Sequence, residues 1–113
     1  MDILNQEKIE LLGKEIGEEN IPMLLEIFVG ELVSYSETLT NCSIDQRSDQ
    51  LSEISHALKS SAASFGADQL CALAIDVDSQ VKAGKPVGDD EQLQTFVHLL
   101  NQTRTVYQQL INP

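Results

Sequence analysis

His56 is the side chain in this sequence best placed to do chemistry, because its neighbours leave it open to solvent. If the surrounding segment is a helix at about 100° per residue, the apolar side chains fall on the side opposite His56. These are Leu51, Ile54, Leu58, Ala62 and Phe65. The residues on the same side as the imidazole are Ser52, Lys59, Ser60 and Ala63. Three of those four are small and one is a cation, so a group carried by another protein can reach the ring.

An exposed imidazole of this kind can accept a phosphoryl group. An aspartyl phosphate is a mixed anhydride, and neutral imidazole attacks it near pH 7 because its unperturbed pKa is about 6.5. Phosphoryl transfer depends mainly on positioning and charge stabilisation, and Lys59 can supply that charge. The alternative is a solvated surface histidine beside an ordinary solvated lysine, which periodicity alone does not exclude.

The sequence from His56 to Ala62, followed by Phe65-Gly66-Ala67, resembles the motif of the histidine-containing phosphotransfer (HPt) family. That motif reads approximately H-x-L-K-G/S-S-S/A-x-x-L-G-A. The segment from Asn5 to Leu39 is also similar to the N-terminal half of the family. The resemblance implies a four-helix bundle in which His56 is phosphorylated and Lys59 stabilises the phosphoryl charge.

Three further positions take a role from the same resemblance. Ser60 lies where the family has Gly or Ser, and its small size leaves room for a phosphoryl group and a partner. Asp78 occupies the position of a polar side chain near the imidazole, and Lys82 is the basic residue one turn later. A carboxylate there would accept a hydrogen bond from the ring N–H and orient the ring. The family more often has Gln or Glu there, so an exposed i,i+4 ion pair between Asp78 and Lys82 is the alternative.

Composition and motifs exclude several classes of function. Eighteen acidic residues against seven basic ones give a formal net charge of −11, which opposes binding to nucleic acid or anionic lipid. Cys42 and Cys71 lack the spacing of a zinc site or a disulfide framework. No secretory signal or transmembrane segment is expected, so we predict a cytoplasmic protein. Without a phosphate-binding G-x-x-x-x-G-K-[ST] loop, we expect no phosphorylation from ATP and no cofactor. The sequence also lacks an acidic pocket for Mg²⁺, so we expect the partner to supply that ion.

Helical periodicity runs through nearly the whole chain. A short helix is predicted from Asn5 to Ile16, and a long one begins after Asn20. The polar stretch from Asn41 to Arg47 is predicted to be a loop, with Ser48 or Asp49 capping the third helix. That helix contains His56 and its apolar stripe.

Glycines and caps mark the later boundaries. Gly66 is predicted to end the third helix because it adopts a left-handed C-cap without a Cβ penalty. The fourth helix runs from Asp68 to Ala83, and the clearest break in the chain follows from Gly84 to Gly88. Asp89 then caps the fifth helix, with Gln92 three residues later as in a capping box. Together these segments predict an all-α fold, an antiparallel up-down-up-down four-helix bundle with a short N-terminal helix, in one monomeric domain spanning residues 1–113.

The resemblance implies a carrier that takes a phosphoryl group from the receiver-domain aspartate of a hybrid sensor kinase. It would pass the group to a response-regulator aspartate, and it would be a reactant in this transfer, not an enzyme. Because receiver active sites are acidic, we expect a neutral or basic docking face around His56, which includes Ser52, Lys59, Ser60 and Ala63, with Lys82 nearby.

Two other functions compete with this hypothesis. A helical adaptor would bind through the same face without phosphorylation of His56. A histidine-based hydrolase would need an orienting acid, an oxyanion site and a concave pocket, and only a possible acid, Asp78, is recognisable. The second histidine, His98, falls on the polar side of the last helix without such a motif, and we expect it to be solvated.

Overall fold

The helices follow one another with short connections, and the computed structural model describes all 113 residues. The five helices are α1 (Gln6–Ile16), α2 (Ile21–Asn41), α3 (Ile44–Phe65), α4 (Asp68–Lys82) and α5 (Asp90–Ile111). A single 3₁₀ turn at Glu18–Asn20 separates α1 from α2, and there is no strand. None of these helices has the length and apolarity needed to cross a membrane.

Two helix pairs, α3 with α4 and α2 with α5, make the most extensive contacts in the bundle. One continuous hydrophobic core of 16 buried residues lies among the four long helices. Near one end, the Phe28 ring stacks on Phe65 at 4.5 Å and meets Tyr107 edge to face at 5.1 Å. Helix α1 packs across α2 and α3. The predicted all-α bundle with a short N-terminal helix is therefore confirmed.

The predicted loop from Asn41 to Arg47 is wrong, because α3 begins at Ile44. Its N-cap is Ser43, with extended backbone and no side-chain cap bond, so neither Ser48 nor Asp49 caps the helix. Asp45 lies in the first turn, where a carboxylate interacts favourably with the helix dipole. Arg47 reaches Asp90 on α5 at 2.6 Å. Only Cys42 and Ser43 connect α2 to α3, and the rest of the polar stretch belongs to these two helices.

The other boundaries agree with the sequence to within one residue. The fourth helix ends at Lys82, one residue before the predicted Ala83. The Asp89 carboxylate accepts a hydrogen bond from the Gln92 backbone N–H at 2.7 Å, as predicted for the cap of α5. The Gln92 side chain in return accepts from the backbone N–H of Gly88.

Gly66 ends α3 in the left-handed conformation, with φ of 76°, and also anchors α1. Its carbonyl accepts a hydrogen bond from the Asn5 backbone N–H at 2.7 Å. The Asn5 amide and the Lys8 ammonium both donate to the carboxylate of Asp68, at 3.0 and 2.8 Å. These donors, Lys8 first, hold the pKa of Asp68 below its usual range. The turn between α3 and α4 therefore fixes the start of the first helix.

Replacing Tyr107 with Phe should destabilise the fold by about 1 to 2 kcal/mol, the range for leaving a buried polar group without its partner. The fully buried Tyr107 donates its hydroxyl to the backbone carbonyl of Phe65 at 2.6 Å. Burial raises the pKa of this phenol, so it is a donor at every physiological pH. Urea unfolding of the two proteins gives the difference in unfolding free energy. Equal values would show that the Phe65 carbonyl finds another donor.

Candidate functional site

Helix α3 presents His56 to solvent, as the periodicity predicts. The imidazole is 71% exposed. On the opposite side of the helix, the side chains of Leu51, Ile54, Leu58 and Ala62 are buried, and Phe65 is half-buried. Ser52 and Ala63 are half-buried and Ser60 is exposed on the same side as His56. We call this surface, made of Ser52, His56, Lys59, Ser60 and Ala63, the His56 face.

Helix α4 places Asp78 beside this face. The carboxylate of Asp78 lies close to three side-chain groups. Its Oδ2 atom lies 2.6 Å from Nζ of Lys59 and 2.9 Å from Nζ of Lys82. Its Oδ1 atom lies 3.5 Å from Nδ1 of His56, which is longer than a hydrogen bond. The structure thus brings together His56, Lys59, Asp78 and Lys82, which we call the His56 cluster.

The two ammonium groups, Lys59 first, hold the pKa of Asp78 well below its usual range although the carboxylate is buried. In turn, the hydrogen bond that Lys82 donates to Asp78 raises the pKa of Lys82. The carboxylate is therefore ionised at neutral pH, and the cluster carries one positive charge when the imidazole is neutral. In a chain of formal net charge −11, this makes the cluster a local site of attraction for an anion.

Each of the two sequence interpretations of Asp78 agrees with part of the observed geometry. The i,i+4 pair with Lys82 exists, but Asp78 is buried, not exposed as that alternative assumed, because Lys59 covers it from α3. The approach of Asp78 to the imidazole also exists, at 3.5 Å. Sequence reasoning missed the pairing of Lys59 with Asp78, which depends on the distance between two helices.

A groove between α1 and α3 adjoins the His56 face and was also missed from the sequence. It has a volume of about 390 Å³. Its walls are Lys8, Leu11, Leu12, Glu15, Ala63 and Ser64. Ala63 belongs to both surfaces, so the groove continues the His56 face toward α1. Leu11 is 56% exposed, and its apolar character is its only signal in the sequence.

The largest surface depression lies elsewhere, around His98 on α5. It measures about 660 Å³, and five of its six lining residues are polar. His98 itself is exposed, as expected, and no carboxylate or cation lines the depression with it. Chemistry that needs several charged groups therefore centres on His56.

The Hpt domain family matches residues 23–111. The chain is 49% identical to the phosphorelay protein LuxU of Vibrio cholerae over 109 residues, covering 96% of each chain. It is 49% identical to phosphorelay protein LuxU of Vibrio harveyi, covering 98% of this chain and 97% of the relative. Identity to the LuxU protein of Vibrio vulnificus strain YJ016 is 45%, over 95% and 93% of the two chains. No solved structure matches the chain.

Proposed function

Because the chain belongs to the Hpt domain family, we propose that it is a phosphorelay intermediate that carries a phosphoryl group on His56. The observation that carries this proposal is an imidazole that is 71% exposed and stands beside two ammonium groups. The ring is accessible to a protein-bound phosphoryl donor, and the cations can stabilise the negative charge that arrives with the group.

The geometry favours Nε2 as the attacking atom, because Nδ1 faces Asp78. The Nε2 lone pair attacks phosphorus of the receiver aspartyl phosphate, and an N–P bond forms. The bond between phosphorus and the aspartate oxygen breaks, and its electron pair leaves with the carboxylate. The proton on Nδ1 stays on the ring, on the side that faces Oδ1 of Asp78 at 3.5 Å. Transfer to the next receiver reverses these steps.

The partners in this proposal are receiver domains. Similarity to the LuxU phosphorelay proteins favours the receivers of hybrid sensor kinases as donors and a response regulator of the LuxO type as acceptor, in quorum-sensing signalling. The carrier would act as a cytoplasmic monomer without autokinase activity, and Mg²⁺ would come with the receiver.

The docking surface in this proposal combines charge with apolar contact. Lys59 and Lys82 face the acidic active site of the receiver, while Leu11 and Leu12 in the α1–α3 groove offer apolar area. Ile75, half-exposed on α4 one turn before Asp78, extends the apolar surface on the other side. A receiver seated over His56 would therefore touch α1, α3 and α4.

Incubation with a phosphorylated receiver domain and Mg²⁺ tests the proposed function. We expect the chain to acquire phosphate that is labile in acid and stable in alkali, as a phosphohistidine is. Binding of cognate receivers without any transfer of label would contradict the proposal and support a helical adaptor that uses the same face.

Replacing Ser60 with Leu should reduce the rate of transfer by at least about a hundredfold, since misplacement by about 1 Å can have that effect. Ser60 is exposed one turn after His56, and a leucine there would cover the space that the phosphoryl group and the receiver need. A time course of labelling from the same phosphorylated receiver, with samples quenched at successive times, measures the rate.

Thr95→Leu is the matched control for added apolar bulk, because Thr95 is exposed on α5 and lines the depression around His98. It should transfer at the wild-type rate. A Ser60→Leu protein that also transfers at the wild-type rate would show that the receiver does not approach over this residue.

A further inference from the structure

Asp78 uses its two oxygen atoms for different neighbours. Oδ2 accepts from both ammonium groups, at 2.6 Å from Lys59 and 2.9 Å from Lys82. Oδ1 faces the imidazole at 3.5 Å. Before phosphorylation, the cations that a phosphoryl group needs are therefore already paired with a carboxylate of the same protein.

Phosphorylation brings a second anion into the same small space. A phosphoryl group on His56 would present three acceptor oxygens to the ammonium groups that Asp78 holds. Each lysine has three donors on a flexible stem, so it can move from one anion to the other. Lys82 is 64% exposed and can move freely, while Lys59 is 26% exposed and moves within the face. The carboxylate and the phosphoryl group thus compete for the same two cations.

We propose that Asp78 is a positioning residue that competes with the phosphoryl group for Lys59 and Lys82 and thereby keeps the phosphohistidine transferable. This inference rests on the proposed function. It adds that Asp78 limits how stable the phosphorylated state of His56 is. When the N–P bond forms, the lysines turn toward the phosphoryl oxygens, and Oδ1 of Asp78 remains beside the proton on Nδ1. When the group leaves, Asp78 recovers both lysines.

The Asp78→Asn variant tests this competition, because the amide has the shape of the carboxylate without its charge. At equilibrium with a phosphorylated receiver, the ratio of phosphohistidine to free His56 should rise about tenfold, since Lys59 and Lys82 are no longer held by a carboxylate and can pair fully with the phosphoryl group. The half-life of the phosphohistidine, formed from phosphoramidate without any receiver, should lengthen as well. Asp78→Ala should change both quantities in the same direction and replaces Asp78→Asn if that variant does not fold.

Asp76→Asn is the matched control, since Asp76 is exposed on the same helix and accepts a hydrogen bond from Gln80 away from the cluster. It should leave the equilibrium and the half-life unchanged. A fall in the equilibrium ratio for Asp78→Asn would show that Asp78 stabilises the phosphorylated state, and this would overturn the inference.

A double-mutant cycle with Lys59→Ala distinguishes competition for lysine from direct repulsion of the phosphoryl group. If Asp78 competes for Lys59, removing the lysine should lower the equilibrium ratio about threefold more in the Asp78→Asn protein than in the wild type. Additive effects would mean that Asp78 acts on the phosphoryl group directly, which would also overturn the inference.

Failure of the proposed function would look different from failure of this inference. If no receiver labels the wild-type protein, the relay function fails, while the phosphoramidate half-lives still test the competition. If the wild type is labelled but Asp78→Asn has the same equilibrium and half-life, only the inference fails.

Discussion

The His56→Gln protein is expected to acquire no acid-labile phosphate from a phosphorylated receiver domain that labels the wild type. A glutamine amide has a similar reach, but its nitrogen lone pair is delocalised into the carbonyl and does not attack phosphorus. Because the His56 side chain is 71% exposed, the substitution should change the unfolding free energy by no more than about 0.5 kcal/mol. The experiment measures the label that the wild type and the His56→Gln protein each retain after alkali treatment, once both are confirmed to be folded.

The second histidine of the chain provides the control for that experiment. His98 is exposed on α5, within a depression that no carboxylate, lysine or arginine lines. The His98→Gln protein should be labelled to the same extent as the wild type. Label that persists in His56→Gln, or that disappears in His98→Gln, would place the phosphorylated residue elsewhere.

The exposure of His56 could be predicted because it depends only on the rotation of one helix. Once Leu51, Ile54 and Leu58 are assigned to the core, a period of 3.6 residues leaves one direction for position 56. The end of α3 at Gly66 could be predicted for a similarly local reason, since a left-handed cap favours glycine.

The surroundings of His56 could not be obtained in the same way, because they depend on distances between helices. The sequence does not state how closely α4 approaches α3, so it left open whether Asp78 is an exposed partner of Lys82 or a neighbour of His56. The close packing of those two helices buries Asp78 and lets Lys59 reach it at 2.6 Å. The α1–α3 groove was missed for the same reason.

The start of α3 shows a different limit of sequence reasoning. Polar composition predicted a loop up to Arg47, yet residues from Ile44 onward are helical. A polar first turn is compatible with a helix when its side chains face solvent, and Arg47 gains an ion pair with Asp90 on α5. Composition alone does not distinguish a loop from the exposed end of a helix.

Substituting Ala for Gly66 should destabilise the protein by about 2 to 5 kcal/mol, combining the left-handed backbone penalty with the strain of a forced contact. Gly66 has φ of 76°, and an added methyl group would lie 2.5 Å from the backbone oxygen of Asn5. Asn5 cannot simply withdraw, because its N–H donates to the Gly66 carbonyl at 2.7 Å. Urea unfolding measures the loss.

Gly84→Ala separates the two causes, since Gly84 has φ of 75° and no atom within 4 Å of an added methyl group. It should lose only about 1 to 2 kcal/mol, the backbone penalty alone. Equal losses in the two variants would show that the start of α1 yields without strain.

If the contact with Asn5 instead forces α1 away from α3, the groove beside Ala63 should open as well. Gly66→Ala should then transfer phosphate more slowly than Gly84→Ala under conditions where both are folded, because the receiver loses the contact with α1.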